Sequence, residues 1–480
     1  MNKPLSFATQ SVQLGGWSAE RMLNYYSRVF PQGSAAGQVM ARQHAGLAAW
    51  VDLFAGTGLA SSPVRCALEL GGDFYAFAGG ILWRVKSDGT SNSVVFPVDP
   101  VDPVTLSDDA GATMATDGIN IALVASGVYA VITPTGGFSA TASFPDLPGG
   151  ITEATSVTFL NYKMIVSGKA GTGRADIIAV SDELDPTTFQ TAAFGSAEAD
   201  PDGLKQVLTV GDTLYALGNK TIEPMRDTAS GDWPIAPYGG GIIPHGILSK
   251  RAVAHDGDTL YFVSSEGRVF RARGFQSQEI SHPGVTKALE DVNNARCFMM
   301  FDGEETFFVV RIPSKPAWCF GLSTQRWSER SSGTDFQAFN ARCSERFTLA
   351  GTSYAQTIIG GQDGVLYRLD PEVYADGDEV LRRWAVSQPI MQREFSVDLI
   401  QPWMSTGTAD IGRDPKVTLY RSKNGQEFTV VGQRSLGAIG DHDREVYWNG
   451  LGHFTRRAQF ALEVTDPVRA DIYGVDMDAG

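Results

Sequence analysis

Apolar residues come along this chain in short runs, each opened and closed by small turn-forming residues. "GDTLYALGNKTIEPM" (211–225) is one such run, started by Gly-Asp and interrupted by Gly-Asn. The same pattern returns as "GDFYAFAGGILWRV" from Gly72, "NIALVASGVYAVI" from Asn120, "NYKMIVSG" from Asn161 and "DTLYFVSSEGRVFRA" from Asp258. Weaker copies are "ETFFVVRIPSKPAWCF" from Glu305 and "AQTIIGGQDGVLYRL" from Ala355. Anchored at 73, 120, 161, 212, 258, 305 and 355, the copies are 47, 41, 51, 46, 47 and 50 residues apart. A hairpin repeating at such a stride predicts the blades of a β-propeller.

Within a copy, Tyr215, Ala216 and Leu217 are apolar in succession, so the strand is expected to be buried on both faces between neighbouring sheets. Gly79-Gly80 and Gly218-Asn219 suit two-residue hairpin loops that need positive φ. Longer loops, Ser264 to Gly267 and Gly361 to Gly364, keep a glycine at the exit. Pro224 is expected to end a strand or mark an edge, because it cannot donate to a ladder. Asp212 could be a catalytic carboxylate or a turn residue. Its counterparts are Asp73 and Asp258, with Asn120 and Asn161 elsewhere, and asparagine cannot do an acid's chemistry. Asp and Asn both stabilise turns through their own side chains, so the turn reading is adopted.

Seven copies predict an all-β chain with a divergent six- or seven-bladed propeller over 61–380. Residues 1–60 fall outside the repeat and read as an N-terminal arm and ring-closing segment. "AERMLNYYSRVF" (19–30) fits a short helix or an extended arm. A closing strand from 39–60 would hide the first and last edges of the ring. After Asp370 the rhythm changes to alternating strands such as "DPKVTLYRSKNGQEFTVVGQ". Residues 381–480 are therefore expected to form a C-terminal antiparallel β-sandwich.

Composition narrows the function. Gly 53 and Pro 23 favour many tight turns. A net charge of −15 argues against tight, static binding to nucleic acid, which draws its affinity from neutralised phosphates. Cys66, Cys297, Cys319 and Cys343 form no C-x-x-C pair and read as reduced core thiols. The N-terminal stretch carries no apolar secretion signal, and no run reaches the length of a membrane span.

Candidate chemistry is sparse. The six histidines form no H-x-x-x-H or H-E-x-x-H, and "GDHDRE" (440–445) reads as a solvated loop in preference to a metal site. "SGKAGTGRAD" (167–176) lacks the full phosphate-loop pattern. "RSKNGQEF" (421–428) resembles the Asp-box turn of some propeller glycosidases, with Asn424 where Asp is usual, and such boxes only hold a hairpin. No catalytic residue, metal or cofactor is expected. The arginine pairs Arg382-Arg383 and Arg456-Arg457 are the candidate subunit or partner contacts, since arginine is enriched at interfaces.

The order of motifs resembles a known family. "LNYYSRVF" (23–30) followed by "RQHAGLAAW" (42–50), with Ala45 where proline is usual, is similar to the start of tail proteins from short-tailed bacteriophages. "ADPDGLKQVLTVGDTLYALGNKTIE" (199–223) and "HGILSKRAVAHDGDTLYFVSSEGRVFRA" (245–272) follow in the same order, as do "VYWNGLG" and "RRAQFALEVTDPV". The family is the tail hub or nozzle, also called the packaged-DNA stabilisation protein of podovirus-type phages. The resemblance implies a virion protein, assembled in the host cytoplasm, with six copies in a ring below the portal and its adaptor. It also implies contacts with tail fibres or spikes and with a needle or gate. Double-stranded DNA would be retained, then passed during ejection without sequence recognition, and an acidic or neutral bore would let it slide. The alternatives are a propeller glycosidase or carbohydrate-binding tail protein, and a monomeric propeller that binds a partner protein.

Overall fold

The computed structural model describes residues 2–5, 11–14, 18–29, 39–94, 106–197, 203–239 and 241–480. Phe30 and residues 199–202 of the motifs quoted above lie outside them. Seven antiparallel four-stranded units follow one another along the chain, over 64–94, 113–143, 151–196, 204–237, 253–279, 296–330 and 341–370. They are numbered blades 1 to 7 below. Every repeat anchor falls at the second strand of a blade: Asp73–Ala78, Ile121–Ala125, Lys163–Ala170, Thr213–Gly218, Thr259–Val263, Glu305–Arg311 and Gln356–Gly361. The last blade has only three strands of its own, and Gly46–Asp52 supplies the fourth by pairing with Val365–Asp370. The closing strand is thus donated from the N-terminal side, where the edge rule puts it.

Seven apolar clusters, one between each pair of neighbouring blades, close the ring. Blade 4 shows how a single strand feeds two of them. Leu214 and Ala216 pack with Leu160 and Ile165 of blade 3, while Tyr215 and Leu217 pack with Leu260 and Phe262 of blade 5. Side chains alternate across a strand, so a fully apolar strand is what two flanking blades require. The ring closes where Val51, Val64, Phe74, Cys343, Phe347 and Leu366 share one cluster between blades 7 and 1. This is a seven-bladed propeller.

Several loops depart from expectation in detail. Gly79-Gly80 is a two-residue loop with φ of 63° and 77°. Gly218-Asn219 is not, because the Gly218 N–H donates to Thr221 O at 2.9 Å and spans a longer loop. Pro224 lies inside Ile222–Asp227, which pairs on both sides, so it marks neither an end nor an edge. Residues 19–30 are extended where described, as Ser18–Leu23 and Tyr25–Val29, and are not helical.

Beyond the ring, two sheets share one apolar cluster that includes Met22, Tyr25, Ile400, Val417, Trp448, Phe460 and Ile472. One sheet orders Tyr25–Val29, Val39–Gln43, Ile472–Ala479, Phe395–Met404 and Trp448–Phe454. The other runs outward from blade 6 through Ser18–Leu23, Arg383–Val386, Arg457–Val464, Lys416–Ser422 and Thr429–Ser435. Early strands of the chain therefore sit beside late ones in both sheets. The C-terminal sheets and the propeller are continuous through Leu23, which pairs with Glu329 of blade 6.

Candidate interaction surfaces

The recurring acids are not equivalent. Asp212 and Asp258 sit in two-residue turns after Gly211 and Gly257, exposed to solvent. Asp73 differs from the expectation that it is their counterpart. It is the first residue of its strand, buried, and holds Arg84 Nε at 2.7 Å and Lys86 Nζ at 2.8 Å. The reason is register: Gly71-Gly72 forms the turn, which moves the aspartate one place into the sheet. Two of these acids thus sit in turns and the third in a buried ion pair. Among the described residues no group of three or more His, Cys, Asp and Glu could hold a metal ion. Asp441 of the 440–445 loop pairs with Arg444 at 3.0 Å. Asn424 accepts from the backbone N–H of Gln426 and Glu427, both at 2.9 Å, so "RSKNGQEF" is a self-held hairpin turn.

The junction between propeller and C-terminal sheets is built from charged groups withdrawn from water. Arg330, at the end of blade 6, donates from Nη1 to Asn24 Oδ1 at 3.0 Å. Its Nη2 donates to Ala45 O at 2.9 Å and Asp376 Oδ1 at 2.7 Å. Both charged side chains are 0% exposed. Asp376 also accepts from Ser332 Oγ at 2.7 Å, and the guanidinium lies 4.7 Å from the Phe339 ring centroid. Beside it, His44 Nδ1 lies 2.8 Å from Asp302 Oδ2, and burial pulls the imidazole pKa down. A buried ion pair with every oxygen engaged fixes geometry more than it adds stability. Here it locks the closing strand, blade 6 and the C-terminal sheets into one body.

The four candidate contact arginines have different fates. Arg383 is fully buried in the chain, bonding Gln43 Oε1 at 2.9 Å and the Val468 and Asp466 carbonyls. Adjacent strand residues point to opposite faces, and its face is the core. Arg382 donates to Glu463 Oε1 at 2.6 Å and stacks 4.2 Å from the Phe336 centroid. Arg21 lies 4.4 Å from the same ring, and its Nε donates to Glu329 Oε2 at 2.7 Å. Arg457 is held by Gln459 Oε1 at 2.8 Å and Asn424 O at 3.3 Å. Arg456 is exposed, at the rim of a cleft of about 660 Å³ lined also by Met391, Gln392, Arg393, Glu394 and Thr455. Met391 in that cleft is 62% exposed, which gives the rim an apolar contact beside the charges.

The family model described as "Bacteriophage P22 Gp10, beta-propeller" matches residues 16–374. The chain belongs to this family. It is accordingly a phage structural protein with a propeller fold, as the motif order suggested. Solved structures similar to the chain include the WD40 β-propeller domain of Doa1, at 11% identity and TM-score 0.40, covering 64% of this chain and 92% of that one. The Neurospora crassa Pan2 WD40 domain is 9% identical over 64% of this chain and 88% of its own, with TM-score 0.41. The extracellular domain of BT4673 from B. thetaiotaomicron is 10% identical over 93% and 69%, with TM-score 0.47. No curated protein sequence gives a match. Among the described residues, no helix is long and apolar enough to cross a membrane.

Proposed function

We propose that this member of the Gp10 family is the tail hub, or nozzle, of a short-tailed phage: a non-catalytic ring subunit that retains packaged DNA and later passes it. The observation that carries the reading is the family match across most of the chain. The buried junction supports it, because a ring under DNA pressure needs subunits that do not flex between propeller and C-terminal sheets. In the proposed particle, six copies sit below the portal adaptor at the virion tail, having assembled in the bacterial cytoplasm. Tail fibres or spikes dock outside, and a needle or gate closes the far end. Six copies would carry six times −15, or −90, formal charges. An acidic or neutral lining would let double-stranded DNA slide, since a basic lining would hold each phosphate. The exposed rim at Arg456 is the proposed subunit contact, with Arg382 and Arg457 supporting the strands behind it.

Light scattering on the purified chain, alone and with its adaptor, tests this. A ring gives six times 51.6 kDa, about 310 kDa, for this component. A 51.6 kDa species that persists beside the adaptor would favour a monomeric propeller. Replacement of Arg456 by Glu is expected to weaken assembly without altering the fold.

A further inference from the structure

Basic side chains from several blades converge at the end of the propeller axis where the first strands begin. Arg65, Arg296 and Arg342 lie in the first strands of blades 1, 6 and 7, and Lys250 and Arg251 immediately precede that of blade 5. Arg296 reaches across the ring. Its Nη1 donates to Ala110 O at 3.0 Å and its Nη2 to Arg65 O. Lys250 arrives at the same loop, where a Cβ built on Gly111 would stand 2.9 Å from its Cδ. Arg342 Nη1 donates to Gln362 Oε1 at 3.0 Å, and Arg311 Nη2 shares that oxygen at 3.3 Å. Two guanidinium groups thus share a neutral amide oxygen.

The carboxylates near this mouth are engaged or lie at its outer rim: in the cleft shared by Arg311 and Arg342, Asp363 accepts from Tyr367 Oη at 2.6 Å and Asn340 Nδ2 at 3.0 Å, and Glu379 is exposed. Asp108 is held by both nitrogens of the Arg65 fork. Asp109 is occupied by the backbone, accepting from Gly111 N at 2.8 Å and Ser126 N at 2.9 Å. The thiols of Cys66 and Cys343 sit against Arg251 and Arg296, but burial pushes the Cys66 thiol up to about 12 and raises that of Cys343. They stay neutral and offset nothing. The Nε atoms of Arg251, Arg296 and Arg342 are buried with no acceptor among the described residues. Burial first, then Arg251 and Arg342, pull Arg296 down to about 9. Charges of one sign, desolvated and under-paired, are costly unless an anion joins them.

We infer that the mouth bounded by Arg65, Arg251, Arg296 and Arg342 binds a phosphate-type oxyanion. Unpaired N–H groups on three neighbouring arginines suit a compact tetrahedral oxyanion, which accepts from more directions than a flat carboxylate. Arg296 is 4% exposed, so the group must be compact. A rigid duplex cannot carry its backbone that deep, whereas free phosphate or a terminal phosphomonoester on a flexible strand can. This inference is independent of the ring stoichiometry.

The test is ³¹P NMR titration of inorganic phosphate into the full chain, with chloride holding ionic strength constant. Saturable line broadening is expected, with at least tenfold weaker binding in R342Q. Q362E serves as the second variant, because Gln362 is exposed and its change leaves the core alone. A carboxylate there pairs with Arg342 and Arg311 and should also weaken phosphate at least tenfold. A 5′-phosphorylated single strand and its unphosphorylated twin distinguish the sources. Displacement by the former only assigns a terminal phosphate, and displacement by neither assigns the free ion. Equal displacement by both strands, no saturable response, or binding unchanged in both variants would overturn the inference.

Discussion

Removing the Asp376 carboxylate should loosen one region of the molecule and leave the rest intact. In Asp376→Ala, Arg330 keeps Asn24 and Ala45 O but loses the one carboxylate that pairs with it among the described residues, at 2.7 Å, in a site with 0% exposure. Leaving one partner of a buried pair uncompensated costs roughly 3–5 kcal/mol. With tenfold for each 1.4 kcal/mol, local opening should become about 140- to 3,700-fold more frequent. Native-state hydrogen exchange reads this directly. Amides of the closing strand Gly46–Asp52 and of Arg383–Val386 should exchange faster by that factor. Those of blade 3, across the ring, should not change. Because the pair contributes specificity more than stability, the double variant Arg330→Met/Asp376→Ala should recover most of the protection. Acceleration below tenfold in the single variant, or equal acceleration in blade 3, would refute the idea that this pair locks the junction.

Three further outcomes follow from burial. Leu47→Ala, at a fully buried site of the closing strand, should lower stability in urea by about 2–5 kcal/mol and open the 46–52 segment to proteases. His282 caps the helix Pro283–Leu289 by accepting from Gly284 N at 3.1 Å, and burial pulls its pKa from 6.5 to about 4. The unfolded chain takes the proton first, so stability should fall as pH drops from about 6.5 toward 4, and His282→Asn should flatten that slope. Glu345 moves the other way: burial, helped by neighbouring Glu69, pushes it from 4.5 to about 7. Its contribution is intact below 4.5 and is lost as pH rises to about 7, so Glu345→Gln should be more stable than the parent at pH 8 and equal at pH 4.

Period and burial were legible in the chain because each blade must make the same inner strand, apolar on both sides. Tyr215, Ala216 and Leu217 announce that requirement without reference to anything distant. The donated closing strand was legible for a similar reason, since an open ring exposes two edges. Asp73 was misread because a turn of two glycines shifts register by one, and only pairing reveals the shift. Arg383 shows a different limit. Adjacent arginines on a strand look alike in sequence, yet one faces solvent-side acids and the other the core. The arginine mouth had a signal that went unused: Arg-Cys recurs at 65–66, 296–297 and 342–343, each time in a blade's first strand. Its meaning depends on ring closure, which brings residues hundreds of positions apart to one axis.

Imaging intact particles at the tail vertex bears most directly on the proposed hub. The account predicts a six-fold ring of seven-bladed propellers beneath the portal adaptor, with density for DNA running along a bore whose walls are not strongly positive. A ring of another symmetry, this chain found only at the periphery, or a strongly basic bore would contradict it.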